Sequence, residues 1–226
     1  MKQLFPTCFL LICFANIARA DLIISQYVET DFGSTPKGIE LWNSGTTVID
    51  FSVTNLIIRQ GSSGAALSDL AGTSITSGTL SAGAVFVIGS SDVGTYLSDS
   101  SLDSVMFVSY GFNFNGDDAL AVVLGGTTTD TLGLPGVDPG TAWSNNGVST
   151  ANQNIAIKLG FVAGQPGGFT DPSIRFETVS TSPSSVGGLA GFGVAPNAVP
   201  EPTLLSFLAS ISVLSLIRNR RREQHR

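Results

Sequence analysis

From Asp21 onward the chain carries no sustained 3.6-residue apolar period; short apolar runs alternate with clusters of Gly, Ser, Thr, Asn and Asp. A helix of a globular domain must present one apolar stripe to a core, whereas runs of four to eight residues bounded by turn formers fit strands. The pattern predicts an all-β fold, a β-sandwich of eight or nine short strands. The expected strands run over residues 22–29, 38–43, 48–60, 84–89, 105–110, 119–124, 128–132, 154–159 and 174–179.

Period-two alternation assigns faces within several of these. Ile39 and Leu41 oppose Glu40 and Trp42, Leu120, Val122 and Leu124 oppose Ala119, Ala121 and Val123, and Ile155 and Ile157 oppose Ala156 and Lys158. In the run from Phe51 to Ile58 the phase slips at Asn55, which predicts a bulge or tight turn there. Turns are expected at Asn43-Ser44-Gly45, Asn115-Gly116-Asp117, Leu124-Gly125-Gly126 and Asp138-Pro139-Gly140. Residues 180–199 are nearly all Ser, Gly, Pro, Ala and Val, and are expected to be a flexible linker.

Charge and residue choice then remove whole classes of function. Residues 21–199 hold 4 basic and 15 acidic side chains, a net charge of −11, which disfavours a nucleic-acid partner because such affinity comes largely from Lys and Arg displacing counterions. Both cysteines, Cys8 and Cys13, precede this body, and the one histidine, His225, follows it. The body therefore has no disulfide, no Ser-His-Asp or Cys-His nucleophile system and no His or Cys zinc site.

Both ends read as addresses. Lys2, the apolar run from Leu4 to Ala15 and the small residues Ala18 and Ala20 predict a signal peptide over residues 1–20, cut by signal peptidase before Asp21. The apolar run is about a dozen residues, short of the ~20 that cross a bilayer. At the other end, Val199-Pro200-Glu201-Pro202 leads into an apolar segment, 203–217, and then Arg218, Arg220, Arg221 and Arg222. The segment is short for a transmembrane helix, and the arginines predict that it is oriented with its end in the cytoplasm.

This tail, residues 200–226, resembles the PEP-CTERM sorting tail of exported Gram-negative bacterial proteins. The resemblance implies that Pro200, Glu201 and Pro202 are recognised by an exosortase, a membrane cysteine protease that cuts near the motif. It implies an inner-membrane-tethered intermediate, then delivery to the cell surface or extracellular matrix. An ordinary tail anchor that is never cut is the other reading.

The body carries a second resemblance. Ile24-Ser25-Gln26-Tyr27-Val28-Glu29 followed by Gly38-Ile39-Glu40-Leu41-Trp42-Asn43 looks like the opening of lamin-tail domains. Ser81 to Ile88 resembles their next turn and strand. Phe114-Asn115-Gly116-Asp117-Asp118-Ala119-Leu120, then Asp130, Gly133, Asp138-Pro139-Gly140 and Trp143, is similar to the bacterial version. The resemblance implies an immunoglobulin-like sandwich over residues 21–179. The chain departs from the pattern at Gln26, where the family usually has Glu, and over residues 51–56, which lack its usual glycine.

Among polar groups, Asn115, Asp117 and Asp118, joined by Asp138 and Glu40, are the oxygen ligands that Ca²⁺ prefers, without EF-hand spacing. The same residues read equally as a hairpin turn with Asp118 capping a strand. No other cofactor is expected. Ser34-Thr35-Pro36-Lys37 has the S-x-x-K spacing of penicillin-recognising enzymes, but Pro36 and Gly38 make it a loop where that motif needs a helix. Trp42, Trp143, Tyr27, Tyr96 and Tyr110 are candidates for a sugar-stacking platform or for core packing. The expectation is a non-enzymatic exported module acting in adhesion or exopolysaccharide-associated structure, with exopolysaccharide or other surface proteins as partners. The alternatives are a hydrolase of surface polysaccharide using Glu40, Asp117, Asp118 or Asp138, and an accessory domain of a secreted nuclease.

Overall fold

The alternating runs form two main sheets that share one apolar core. A computed structural model describes residues 21–196. Along the chain lie β1 (Leu22–Val28), β2 (Gly38–Asn43), β3 (Ile49–Asp50), β4 (Leu56–Gly61), β5 (Ser68–Asp69), β6 (Thr79–Leu80) and β7 (Val85–Gly89). After α1 (Ser91–Asp99) come β8 (Met106–Ser109), β9 (Ala119–Leu124), β10 (Thr127–Leu132), β11 (Ser144–Asn145), β12 (Val148–Ser149), β13 (Asn154–Ile157) and β14 (Phe176–Ser180). The fold is all-β with one short α-helix among the described residues.

The larger sheet has the order β14-β13-β1-β2-β7-β8 and the smaller β10-β9-β4-β5, with β11-β12 and β3-β6 as two-stranded ribbons. Every pairing is antiparallel except β7 with β8. A parallel neighbour needs a crossover, and α1 lies within that connection. Ile24, Tyr27, Leu41, Phe86 and Phe176 of the large sheet and Leu56, Ile58, Leu120 and Val122 of the small one belong to the shared core.

Two sequence expectations change here. The run over 48–60 is not one strand: Asp50 accepts from Ser52 N through its side chain (2.9 Å) and from Thr54 N through its carbonyl (2.9 Å), and this turn divides β3 from β4. The face expected to point outward is also buried. Glu40, Trp42, Ala121 and Val123 are all enclosed, so alternation identifies two faces but not a wet one. Trp42 donates from Nε1 to Gly83 O (3.2 Å), and Trp143 and Tyr27 are buried as well. The expected sugar platform is therefore not assembled on the surface from these three rings.

The outer face of the large sheet is covered by α1 and by the chain's last described segment. Val28 and Val87 on that face pack with Val93 and Leu97 of α1 and with Leu189 and Phe192. Residues 181–196, expected to be a linker, are thus a strap of turns docked on the body. Their glycines serve close approach. A Cβ at Gly191 would lie 2.7 Å from Gln26 Oε1, one at Gly193 would lie 2.7 Å from Leu97 Cδ2, and both residues have positive φ (+95 and +85). Fully burying Phe192 contributes roughly 1.5–3 kcal/mol to holding the strap. No helix among the described residues is long and apolar enough to cross a membrane. The signal-peptide residues Ala18 and Ala20, and Pro200, Glu201 and Pro202 with segment 203–217, lie outside the described residues.

Candidate functional site

The acidic turn before β9 was the leading polar cluster, and the fold does bring Asn115, Asp117 and Asp118 together there. Asp118 is buried with both carboxylate oxygens engaged. Oδ1 accepts from Ser63 N (3.0 Å), and Oδ2 accepts from Gln60 Nε2 (2.9 Å) and Asn115 N (3.1 Å). Asp117 Oδ2 accepts from Ser63 Oγ (3.3 Å). Asp138 lies with its backbone against Gly64 but turns its carboxylate to its own loop, accepting from Gly140 N (2.7 Å). Glu40 has a different set of partners, Ser25 and Gly193.

Beneath the turn, Phe114 stacks on Tyr27 at 5.0 Å. The Lys37 ammonium donates to Phe114 O and lies 3.3 Å from Glu29 Oε1, while Glu29 Oε2 accepts from Asn152 N (2.7 Å). Burial first, and then the charges of Glu29, Asp118 and Asp117, push the Tyr27 phenol well above its ordinary range. The positive charge that this cluster of acids calls for is thus supplied from within the chain, by Lys37 of the former S-x-x-K motif. Among the described residues no group of three or more His, Cys, Asp or Glu side chains is placed to hold a metal ion. The geometry here is that of a braced turn.

A second polar centre escaped the sequence reading. Arg175 and Asp130 form a buried two-pronged pair, Nη1 to Oδ1 at 2.5 Å and Nη2 to Oδ2 at 2.6 Å. Asp130 also accepts from Ile24 N (2.8 Å), Thr131 N (3.0 Å) and Gln165 N (2.8 Å). The first of these bonds uses an amide at the register shift of β1, between Ile24 and Gln26. A cleft of about 370 Å³ lies alongside, lined in part by Gln165, Phe169, Asp171 and Arg175. Asp171 caps the short 3-10 turn Pro172–Ile174 that delivers Arg175. Hydrogen bonds from Ser173, and then Asn145, hold its carboxyl below the ordinary range. Nearby, Gly133 passes so close to Trp143 that a Cβ there would lie 2.4 Å from Cζ3. Asp130, Gly133 and Trp143 were quoted in the lamin-tail resemblance, and each has a structural task.

The third centre is the outer face under the strap. Gln26 Nε2 donates to Asn154 Oδ1 (2.7 Å) and to Ala190 O (2.7 Å), and Asn154 Nδ2 donates to Gly188 O (2.9 Å). Glu40 Oε2 accepts from Gly193 N (2.6 Å), and Oε1 lies 2.7 Å from Ser25 Oγ. Burial, opposed by the bonds from Ser25 and Gly193, raises the Glu40 carboxyl to about 8. Gln26, the departure from the family pattern, thus reads the backbone of the strap. No sequence signal joins it to Ala190, 164 residues away.

Compared with known proteins, the chain matches no family model, no curated protein and no solved structure.

Proposed function

We propose that the chain is an exported, non-enzymatic surface module whose body is an immunoglobulin-like sandwich of the lamin-tail type. In this reading residues 1–20 are removed by signal peptidase, residues 203–217 tether the protein to the inner membrane, and an exosortase cuts near Pro200-Glu201-Pro202. The product acts at the surface or in the matrix of a Gram-negative bacterium, in adhesion or exopolysaccharide-associated structure.

The observation that carries the reading is the order of three features in the last 27 residues: the proline pair around Glu201, the apolar run and the arginine cluster. The body adds support. Its buried carboxylates at Glu40, Asp118 and Asp130 are each committed to hydrogen bonds inside the fold, which suits a scaffold.

The test is the intact mass of the protein recovered from membrane, surface and medium fractions of cells that produce it. The expected result is a membrane form that retains Arg226 and a surface or medium form that begins at Asp21 and ends near Pro200. A single membrane form that still includes Arg226 would make it an uncut anchor and overturn the sorting proposal.

A further inference from the structure

Residues 181–196 form the outermost layer on the large sheet, and the way they are held differs from the packing of the core. Two apolar side chains, Leu189 and Phe192, enter the outer cluster. The remaining attachments are polar: Gln26 and Asn154 hold the carbonyls of Gly188 and Ala190, Asp31 Oδ1 accepts from Ser184 N (2.9 Å), and Glu40 accepts from Gly193 N. A cleft of about 240 Å³ opens beside the strap's end, with Ser25, Glu40, Glu177, Val194 and Pro196 among its walls. This cleft gives the Glu40 carboxyl a route to solvent that leaves the core intact.

We propose that residues 181–196 are a releasable strap with Glu40 as its latch: the strap stays docked while the Glu40 carboxyl keeps its proton and lifts when the proton is lost.

The geometry accommodates the neutral acid. Ser25 Oγ stands 2.7 Å from Glu40 Oε1 and 3.2 Å from the Glu40 carbonyl oxygen. With the carboxyl protonated, its O–H goes to Ser25 Oγ, the serine hydrogen goes to the carbonyl, and Oε2 is free to accept from Gly193 N. With the carboxyl ionised, two hydrogen bonds must replace full hydration of a buried charge, which is unfavourable. Undocking removes Gly193 and restores water to the carboxylate.

The other ionisable groups do not imitate this response. The strap itself contains none. Ser25 and Gln26 of β1 and Val87 of β7, the neighbours of Glu40 in the sheet, carry no charge. Glu177 of β14 shares the cleft, and Lys158 beyond it donates to Ser173 O. Hydrogen bonds from Ser184 hold the exposed Asp31 carboxyl below its ordinary range, so Asp31 titrates in acid, where its loss loosens the strap from the opposite side of the pH scale.

Because docking takes up a proton, the opening equilibrium of the strap should rise about tenfold per pH unit between the ordinary carboxyl range and about 8, and then level off. Amide hydrogen exchange of the full-length chain, corrected for intrinsic rates, reads this directly at Ala190, Phe192, Gly193 and Val194. Between pH 5 and 9 these amides should lose protection while β1 and β9 amides keep theirs. Glu40→Gln is nearly isosteric with the neutral acid and preserves both bonds; it should hold the strap docked and abolish the slope. Asn154→Ala should lower protection at every pH with the slope retained. A slope unchanged in Glu40→Gln, or strap protection that tracks the core at every pH, would overturn the proposal. None of these outcomes depends on how the tail is processed.

Discussion

The guanidinium of Arg175 grips the carboxylate of Asp130 through two hydrogen bonds of 2.5 and 2.6 Å, and that same carboxylate holds the amides of Ile24, Thr131 and Gln165. One side chain therefore ties β1, β10 and the loop after β13 to the residue that precedes β14.

This arrangement makes the pair asymmetric. Asp130→Ala strands a buried guanidinium and three backbone donors, and should cost at least the ~3–5 kcal/mol typical of breaking a buried pair. Arg175→Met leaves a carboxylate that still accepts from three amides and should cost less. Urea denaturation of the two variants checks the order, and equal losses would show that the amide bonds add nothing.

Gly133 has φ of +73 and faces the Trp143 ring. Gly133→Ala combines a left-handed backbone cost of about 1–2 kcal/mol with an overpacking cost of roughly 1–3 kcal/mol. Lower thermal stability with a shifted tryptophan emission is expected. An unchanged emission spectrum would mean that the indole does not feel the new methyl group.

Asp118→Asn replaces an oxygen that accepts a hydrogen bond with an amide nitrogen facing the same donors, and should destabilise by about 1–3 kcal/mol. Millimolar calcium, compared with a chelator, should leave the unfolding temperature of the parent protein unchanged, because Asp118 is already saturated and Lys37 serves its neighbour Glu29. A calcium-dependent rise would restore the ion-site reading of Asn115, Asp117, Asp118 and Asp138.

For Glu40 the folded value of about 8 lies above the ordinary 4.5. The folded state then binds the proton more tightly than the unfolded one, so stability is fully present below pH 4.5 and is lost as pH rises through about 8. At about 1.4 kcal/mol per pH unit the loss has an upper bound of ~5 kcal/mol. Strap release limits it to the cost of undocking. Denaturant midpoints measured across this range should fall for the parent and stay flatter in Glu40→Gln.

Much of the sheet structure was legible because strands obey a local rule. β2 and β9 occupy the residues that alternation predicts, and Gly125-Gly126 joins β9 to β10 as expected. What was not legible depends on partners far apart in sequence. α1 buries only Val93 and Leu97, one i, i+4 pair, too little to stand out as periodicity. The strap was hidden by its own composition: Gly191 and Gly193 look like flexibility until Gln26 and Leu97 are seen pressing against them. Arg175 and Asp130 lie 45 residues apart with no motif linking them. In the polar clusters, residue type indicated oxygen ligands correctly, but it could not indicate that the donors come from the chain itself.

The place of β1 between β2 and β13 has a consequence for how the molecule comes into being. A chain emerging from its N-terminus can zip β1 to β2 early, yet the other edge of β1 stays unpaired until the residues around Asn154 arrive. An open edge of mostly apolar residues invites pairing with a neighbouring chain. Assembly is therefore governed by contacts between distant parts of the sequence, which makes it slow. Its most vulnerable species is a nearly complete chain waiting for its last strands.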